Sequence, residues 1–185
     1  MIISRTPFRI SFFGGGTDYP DWYRNNGGAV LSTAIDKYCY ISLRHLPPFF
    51  GYQYRVVYSK VECVNQLSEI QHPAVRAVLQ TLKVGEGLEI HHDGDLPARS
   101  GLGTSSTFTV GMINAIKALR GEIISKGDLA KSALHIEHEV LKECVGTQDS
   151  VIAAYGGFRR IQFKTDNTFD ASPVIIKPEK LEMLQ

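Results

Sequence analysis

Leu96 to Ser106 reads Leu-Pro-Ala-Arg-Ser-Gly-Leu-Gly-Thr-Ser-Ser, a glycine-and-hydroxyl loop that opens onto an apolar pattern of helical spacing. Gly101 and Gly103 let the backbone turn tightly and approach a ligand closely. Thr104, Ser105 and Ser106 fall where a helix would begin, ahead of Val110, Met112, Ile113, Ile116 and Leu119. A helix N-terminus offers unpaired N–H groups and the positive end of a dipole, which suits a phosphate. The hydroxyls can add hydrogen bonds or one ligand to Mg2+. The chemistry that fits is the holding of nucleotide phosphates. The same pattern also serves simply to start a helix. Two better-known phosphate loops do not fit. The Walker pattern ends in Gly-Lys-Ser/Thr, and no Lys follows Gly103; the dinucleotide fingerprint wants a glycine where Tyr19 follows Gly14-Gly15-Gly16.

Two carboxylates follow. At 100° per residue, Ala130, Ala133, Leu134 and Leu141 form one apolar stripe, and Glu137 falls at its centre. Glu139 and Glu143 point away from it, as solvated charges do. A carboxylate on a core-facing stripe is costly unless it is paired or binds a metal. A buried salt bridge or a partly exposed helix end would also explain it. Asp149 lies in Gly146-Thr147-Gln148-Asp149-Ser150, ahead of the apolar run Val151 to Ala154. It reads either as a first-turn acid of a helix or as an acid held for chemistry between tight turns.

The elements that would position these groups can be read from periodicity. Met1 to Phe13 reads as a strand closed by Gly14-Gly15-Gly16. Two strands are expected at 29–35 and 37–44, with others at 54–58, 87–92, 157–163 and 174–176. Helical spacing covers 73–82, 105–119 and 126–143. Strands dominate the first half and helices the second, an α+β layout.

The 185 residues suffice for one domain with a sizeable core. The formal charge of +1 gives no field pointing to nucleic acid or a membrane surface. Cys39, Cys63 and Cys144 are odd in number and widely spaced, which argues for a reducing cytoplasm and against a disulfide framework. The first residues carry Arg5 and Arg9 within the apolar run and lack the layout of a signal peptide. Of the histidines, His91 and His92 are adjacent on a strand and so point to opposite faces, and His135 with His138 lacks zincin spacing.

Three segments together resemble the GHMP small-molecule kinases. These are Thr6-Pro7-Phe8-Arg9-Ile10 with Gly14-Gly15-Gly16-Thr17-Asp18-Tyr19, then the loop Pro97 to Ser106, then Glu137-His138 with Gly146-Thr147-Gln148-Asp149. The resemblance implies a ribosomal-protein-like two-layer α+β fold, a mixed sheet packed on helices. It implies an ATP-binding catalytic domain at 1–176 and, at 177–185, the start of a linker to a further domain. The substrates implied are ATP with Mg2+ and a small-molecule sugar phosphate, with neither nucleic acid nor membrane as partner. Residue by residue, Gly101, Leu102, Gly103, Thr104, Ser105 and Ser106 would hold the ATP phosphates. Ser105 and Glu137 would bind Mg2+, with Ser106 as the fallback hydroxyl. Asp149 would accept the proton of the attacking hydroxyl, and Arg9 would keep Asp149 ionised. Gly15, Gly16, Thr17, Asp18 and Tyr19 would bind the sugar.

Galactokinases carry Glu-His where this chain has Gly15-Gly16. The Gly-Gly-Gly-Thr-Asp-Tyr-Pro form is similar to the heptose 7-phosphate branch, which implies phosphorylation of the C1 hydroxyl of D-glycero-D-manno-heptose 7-phosphate. A fucokinase- or galactokinase-like enzyme and a non-catalytic nucleotide- or sugar-binding module are the alternatives. Arg24, Lys37 and Arg44 are candidates for the substrate's own phosphate. Phe49 and Phe50 would form an exposed aromatic loop.

Overall fold

A computed structural model describes residues 1–97, 100–177 and 179–180. Ala98, Arg99, Pro178 and residues 181–185, and with them most of the expected linker, lie outside the described residues.

The architecture is a seven-stranded mixed sheet with helices packed against it, in the order β4-β3-β5-β2-β6-β7, with β1 also paired to β2. Its spine is β2 (Gly28–His45), one continuous strand where two were expected. It stays continuous because β1 (Ile2–Phe13) pairs antiparallel along nearly all of it, from Ile2 opposite Leu43 to Phe13 opposite Leu31. On the other edge, the C-terminal half of β2 pairs with β5 (Leu88–Gly94) and the N-terminal half with β6 (Phe158–Phe163). β3 (Tyr54–Val57) runs parallel to β5 and antiparallel to β4 (Val61–Val64); β7 (Phe169–Pro173) closes the sheet beyond β6. The last strand was expected at 174–176 and lies just before it. β4 was not anticipated.

Helix α1 (Pro20–Asn26) begins with proline at its first position, where a missing N–H costs nothing. α2 (Pro73–Thr81) begins the same way, and the His72 ring accepts from the Val75 N–H at 3.4 Å. α3 (Thr104–Leu119) lies directly on β1: the Ser4 hydroxyl donates to the Gly111 carbonyl at 2.9 Å. α4 (Lys126–His135) has Ser125 as its cap and runs into a single π-helical turn, Ile136–Val140. α5 (Gln148–Tyr155) follows.

The main core joins the sheet to α2 and α3, through Phe8, Ile41, Leu43, Leu79, Ile90, Met112 and Ile113. A second cluster, Tyr23, Val30, Ala130, Val151, Ile152, Ile161 and Phe163, seats α4 and α5 against β6. On the opposite sheet face Glu89 is gripped by Arg44, Arg55 and His91. Those partners, His91 foremost, hold its carboxyl down at about 2. Among the described residues no helix is long and apolar enough to cross a membrane.

Candidate active site

Arg9 and Asp149 are 140 residues apart in sequence and form a bidentate pair, Nε to Oδ1 at 2.6 Å and Nη2 to Oδ2 at 2.7 Å. Their side chains are 13% and 17% exposed, so the pair is largely shielded yet reachable. Burial pushes the Asp149 carboxyl above the ordinary aspartate value, and Arg9 pulls it back only in part. Arg9 favours the ionised carboxylate, and desolvation opposes it as the larger effect.

The glycine loop is built onto this pair. The third guanidinium nitrogen of Arg9 donates to the Gly101 carbonyl at 2.9 Å, and the Arg9 backbone N–H donates to Leu102 at 3.2 Å. Gly103, at φ 79°, ends the loop in the left-handed region. A Cβ there would meet Arg9 Cγ at 3.3 Å and Asp149 Oδ2 at 3.4 Å. Glycine serves both needs at once. The chain then enters α3 at Thr104 with no side-chain cap, and the first N–H to close the helix is that of Thr107, onto Gly103 O at 2.9 Å. The N–H groups of Thr104, Ser105 and Ser106 are left without helical partners, beside the Arg9–Asp149 pair.

Glu137 is fully buried, at 0% exposure. One oxygen accepts from the Ser150 hydroxyl at 2.7 Å; the other, Oε1, is buried and has no partner. Burial drives its carboxyl up to about 7, against the pull of the Ser150 hydrogen bond and of the nearby Ser106 hydroxyl. It sits in the π-helical turn, a local irregularity that recurs at functional sites. The hydroxyl beside it is that of Ser106, which is 2% exposed. Ser105 is exposed and faces a different cleft. Of the two hydroxyls expected for Mg2+, the fallback Ser106 rather than Ser105 lies beside Glu137, because one residue along α3 turns the side chain by about 100°. An unpartnered carboxylate oxygen and a hydroxyl are hard oxygen donors, and they fit Mg2+ when phosphate oxygens and water complete the shell. The described residues hold no cluster of three or more His, Cys, Asp or Glu that could bind a metal by itself.

The segment Gly14 to Tyr19 divides. Gly15 and Gly16 are exposed. The Thr17 hydroxyl is taken by the backbone carbonyls of Gly14, at 2.8 Å, and Ala29, at 3.1 Å. Asp18 is 1% exposed, and accepts from the N–H of Gly16 at 3.0 Å and of Gln148 at 3.2 Å. Its backbone carbonyl also accepts from Thr147 N–H at 2.9 Å. Tyr19 lines a separate groove with Pro20, Cys144 and Val145. Of the residues expected to bind sugar, Thr17 and Asp18 are tied to backbone, Tyr19 lies apart from them, and Asp18 pins the start of α5, where Asp149 sits. A Cβ on Gly146 would overlap the Asp18 carboxylate. We expect Gly146→Ala to cost about 1–3 kcal/mol of stability in urea titrations, with a loss of activity out of proportion to the residual folding.

A cleft of about 360 Å3 opens beside the loop, lined by Phe8, His72, His92, Leu96, Ser105 and Phe108 among others. His72 stacks on Phe108 at 4.9 Å and His92 meets the same ring edge-on at 4.9 Å. Burial holds both histidines below their usual value, so both are neutral near pH 7. The sequence pointed to neither as a site residue; His92 shared a strand with His91, which faces the Glu89 cluster instead. Arg24, Lys37 and Arg44 are not brought together: Arg24 binds Asn167 from α1, Lys37 is exposed midway along β2, and Arg44 is paired with Glu89.

Residues 68–157 match the family described as GHMP kinases N terminal domain. The chain is 29% identical over 185 residues to D-glycero-alpha-D-manno-heptose 7-phosphate kinase of Campylobacter jejuni, covering 95% of this chain and 55% of that protein. It is 25% identical to the galactokinase of Thermotoga maritima, covering 97% and 51%. The crystal structure of a D-glycero-D-manno-heptose 1-phosphate kinase from Bacteroides thetaiotaomicron superposes with a TM-score of 0.89 at 23% identity, over 98% of this chain and 62% of that one, which establishes the shared fold. The chain spans about half the length of the curated relatives it matches.

Proposed function

We propose, because residues 68–157 match the family described as GHMP kinases N terminal domain, that the protein acts in the ATP-dependent phosphorylation of a sugar. The substrate we assign is D-glycero-D-manno-heptose 7-phosphate, phosphorylated at its C1 hydroxyl to give the 1,7-bisphosphate and ADP. The observation that carries the reading is the Arg9–Asp149 pair packed against Gly103. It sets a carboxylate and a cation at the mouth of a phosphate-holding loop.

In this reading the free N–H groups of Thr104 to Ser106 bind the ATP phosphates. Asp149 accepts the proton of the attacking sugar hydroxyl, and its raised carboxyl makes it a better base than an exposed aspartate. Arg9 orients that carboxylate and offsets charge on the moving phosphoryl group. Glu137 and Ser106 would hold Mg2+, which when bound neutralises phosphate charge. The cleft of His72, His92 and Phe108 takes the nucleobase, since stacked neutral rings suit a flat heterocycle. Ala74 lines the same cleft, and filling it with Ala74→Leu should raise KM for ATP about 10-fold, the effect of overpacking by some 1.4 kcal/mol. The KM for sugar should stay unchanged in the same assay.

The reading is tested by ADP release from the full-length protein offered heptose 7-phosphate, galactose, fucose or mevalonate. Turnover of heptose 7-phosphate ahead of the others is expected. Turnover of galactose or fucose alone would transfer the assignment to those branches, and no turnover of any acceptor would reject the kinase reading.

A further inference from the structure

We propose that Gln148 and Ser11 form a hydroxyl-reading subsite beside the Arg9–Asp149 pair, and that Gln148 selects the sugar by the hydroxyl next to the reacting one. The inference rests on the kinase reading of the site. Gln148 is 6% exposed, and its carboxamide oxygen Oε1 is buried with no hydrogen-bond partner. Its backbone N–H is held by Asp18, so the residue is fixed while its side chain is left unsatisfied. Buried amides are normally paired, and one left open calls for a ligand or water.

The amide nitrogen Nε2 is the end that lies toward Gly15, with Oε1 buried behind it. A Cβ built on Gly15 would find only two atoms within 4 Å, Gln148 Nε2 and Ser11 Oγ, each at 3.9 Å; one built on Gly16 would find none. The space over these exposed glycines is therefore bounded by two polar groups. Ser11 stands two residues after Arg9 on the same face of β1, about 7 Å along the strand, and Gln148 directly precedes Asp149. The four side chains make two neighbouring pairs, one charged and one neutral. A sugar ring placed with one hydroxyl at Asp149 brings another to Gln148 and Ser11. A hydroxyl both donates and accepts, as a carboxamide does, so each satisfies the other.

The test compares heptose 7-phosphate with its 2-deoxy analogue on full-length wild-type protein, on the near-isosteric Gln148→Met and on Ser11→Ala. Wild type should favour the parent sugar by at least about 10-fold in kcat/KM, as sites built around a hydroxyl do. Gln148→Met should raise KM for the parent sugar by about 10–100-fold, level the two sugars, and leave KM for ATP and the melting temperature unchanged. Ser11→Ala should shift the same way by less. The proposal is overturned if Gln148→Met keeps the discrimination, weakens both sugars equally, or raises KM for ATP instead. Calorimetric binding of heptose 7-phosphate without ATP separates the two readings when no ADP is released. Binding lost in Gln148→Met then upholds the subsite although the kinase reading fails. Binding retained in the variant, or absent from wild type, overturns the subsite.

Discussion

Asp149→Asn should lower kcat about 10^2–10^4-fold, the range lost with a general base, while ADP binding by calorimetry stays close to wild type. The asparagine keeps the size of the side chain and one acceptor for Arg9, so the loop geometry that depends on Arg9 survives. What disappears is the carboxylate able to take a proton. Stability should change little, because two effects oppose. Removing a buried charge relieves a desolvation cost, which already pushes this carboxyl above its ordinary value. Losing half of a bidentate pair removes a comparable gain. On the proposed kinase reading, the wild-type protein should lose kcat/KM on acidification, with a midpoint above the ordinary aspartate value of about 3.9. The variant's residual activity should lack that limb. Near wild-type turnover by Asp149→Asn would exclude Asp149 as the base.

Glu137→Gln should move stability and activity in opposite directions. In the metal-free protein the Glu137 carboxyl titrates at about 7, raised from 4.5 by burial. Between those two pH values the folded state holds a proton that the unfolded state has released. Stability therefore falls as pH rises through that window, by about 3 kcal/mol once both states are ionised. Glutamine cannot ionise, so the variant should stay level across the window. In chelator at pH 8 it should melt roughly 6–12 °C above wild type for a chain of this size. With Mg2+ restored, half-saturation by the metal in the kinase assay should rise at least about 10-fold, with sugar affinity unchanged. A variant that loses stability at pH 8 would mark Glu137 as a structural acid in a favourable hydrogen-bond network instead.

Local pattern is enough to find both acids and not enough to say what they face. Glu137 was visible because a charged residue at 100° spacing lands on an apolar stripe, and burial follows from that spacing alone. That α4 gives way to a π-helical turn around it was not visible, since one extra residue per turn leaves no periodic trace over five residues. Asp149 was locally ambiguous. It is in fact both a first-turn acid of α5 and the partner of Arg9. The glycine loop carried its own signal, because left-handed backbone needs glycine and a helix start favours hydroxyl residues. The short elements α1 and β4, too brief for a repeated apolar pattern, were not anticipated as regular structure, and α5 was anticipated only as one of the two readings of Asp149.

The sequence by itself determined the α+β order, the phosphate-type loop, the buried Glu137 and the candidacy of Arg9 and Asp149. Apart from Arg9, whose candidacy follows from the resemblance of its segment to the GHMP kinases, each rests on residue type and short-range spacing, which act within one or two turns of chain. Only the tertiary structure decided which residues meet. It set Arg9 against Asp149 and Gly103, chose Ser106 over Ser105 as the neighbour of Glu137, and tied Asp18 to the start of α5 across 130 residues. It also set Gln148 Nε2 beside Gly15 while leaving Oε1 buried and unpaired. Such contacts depend on the rotational phase of each helix and the register of β1 on β2. Those are settled by packing of the whole core, and no local stretch of sequence encodes them.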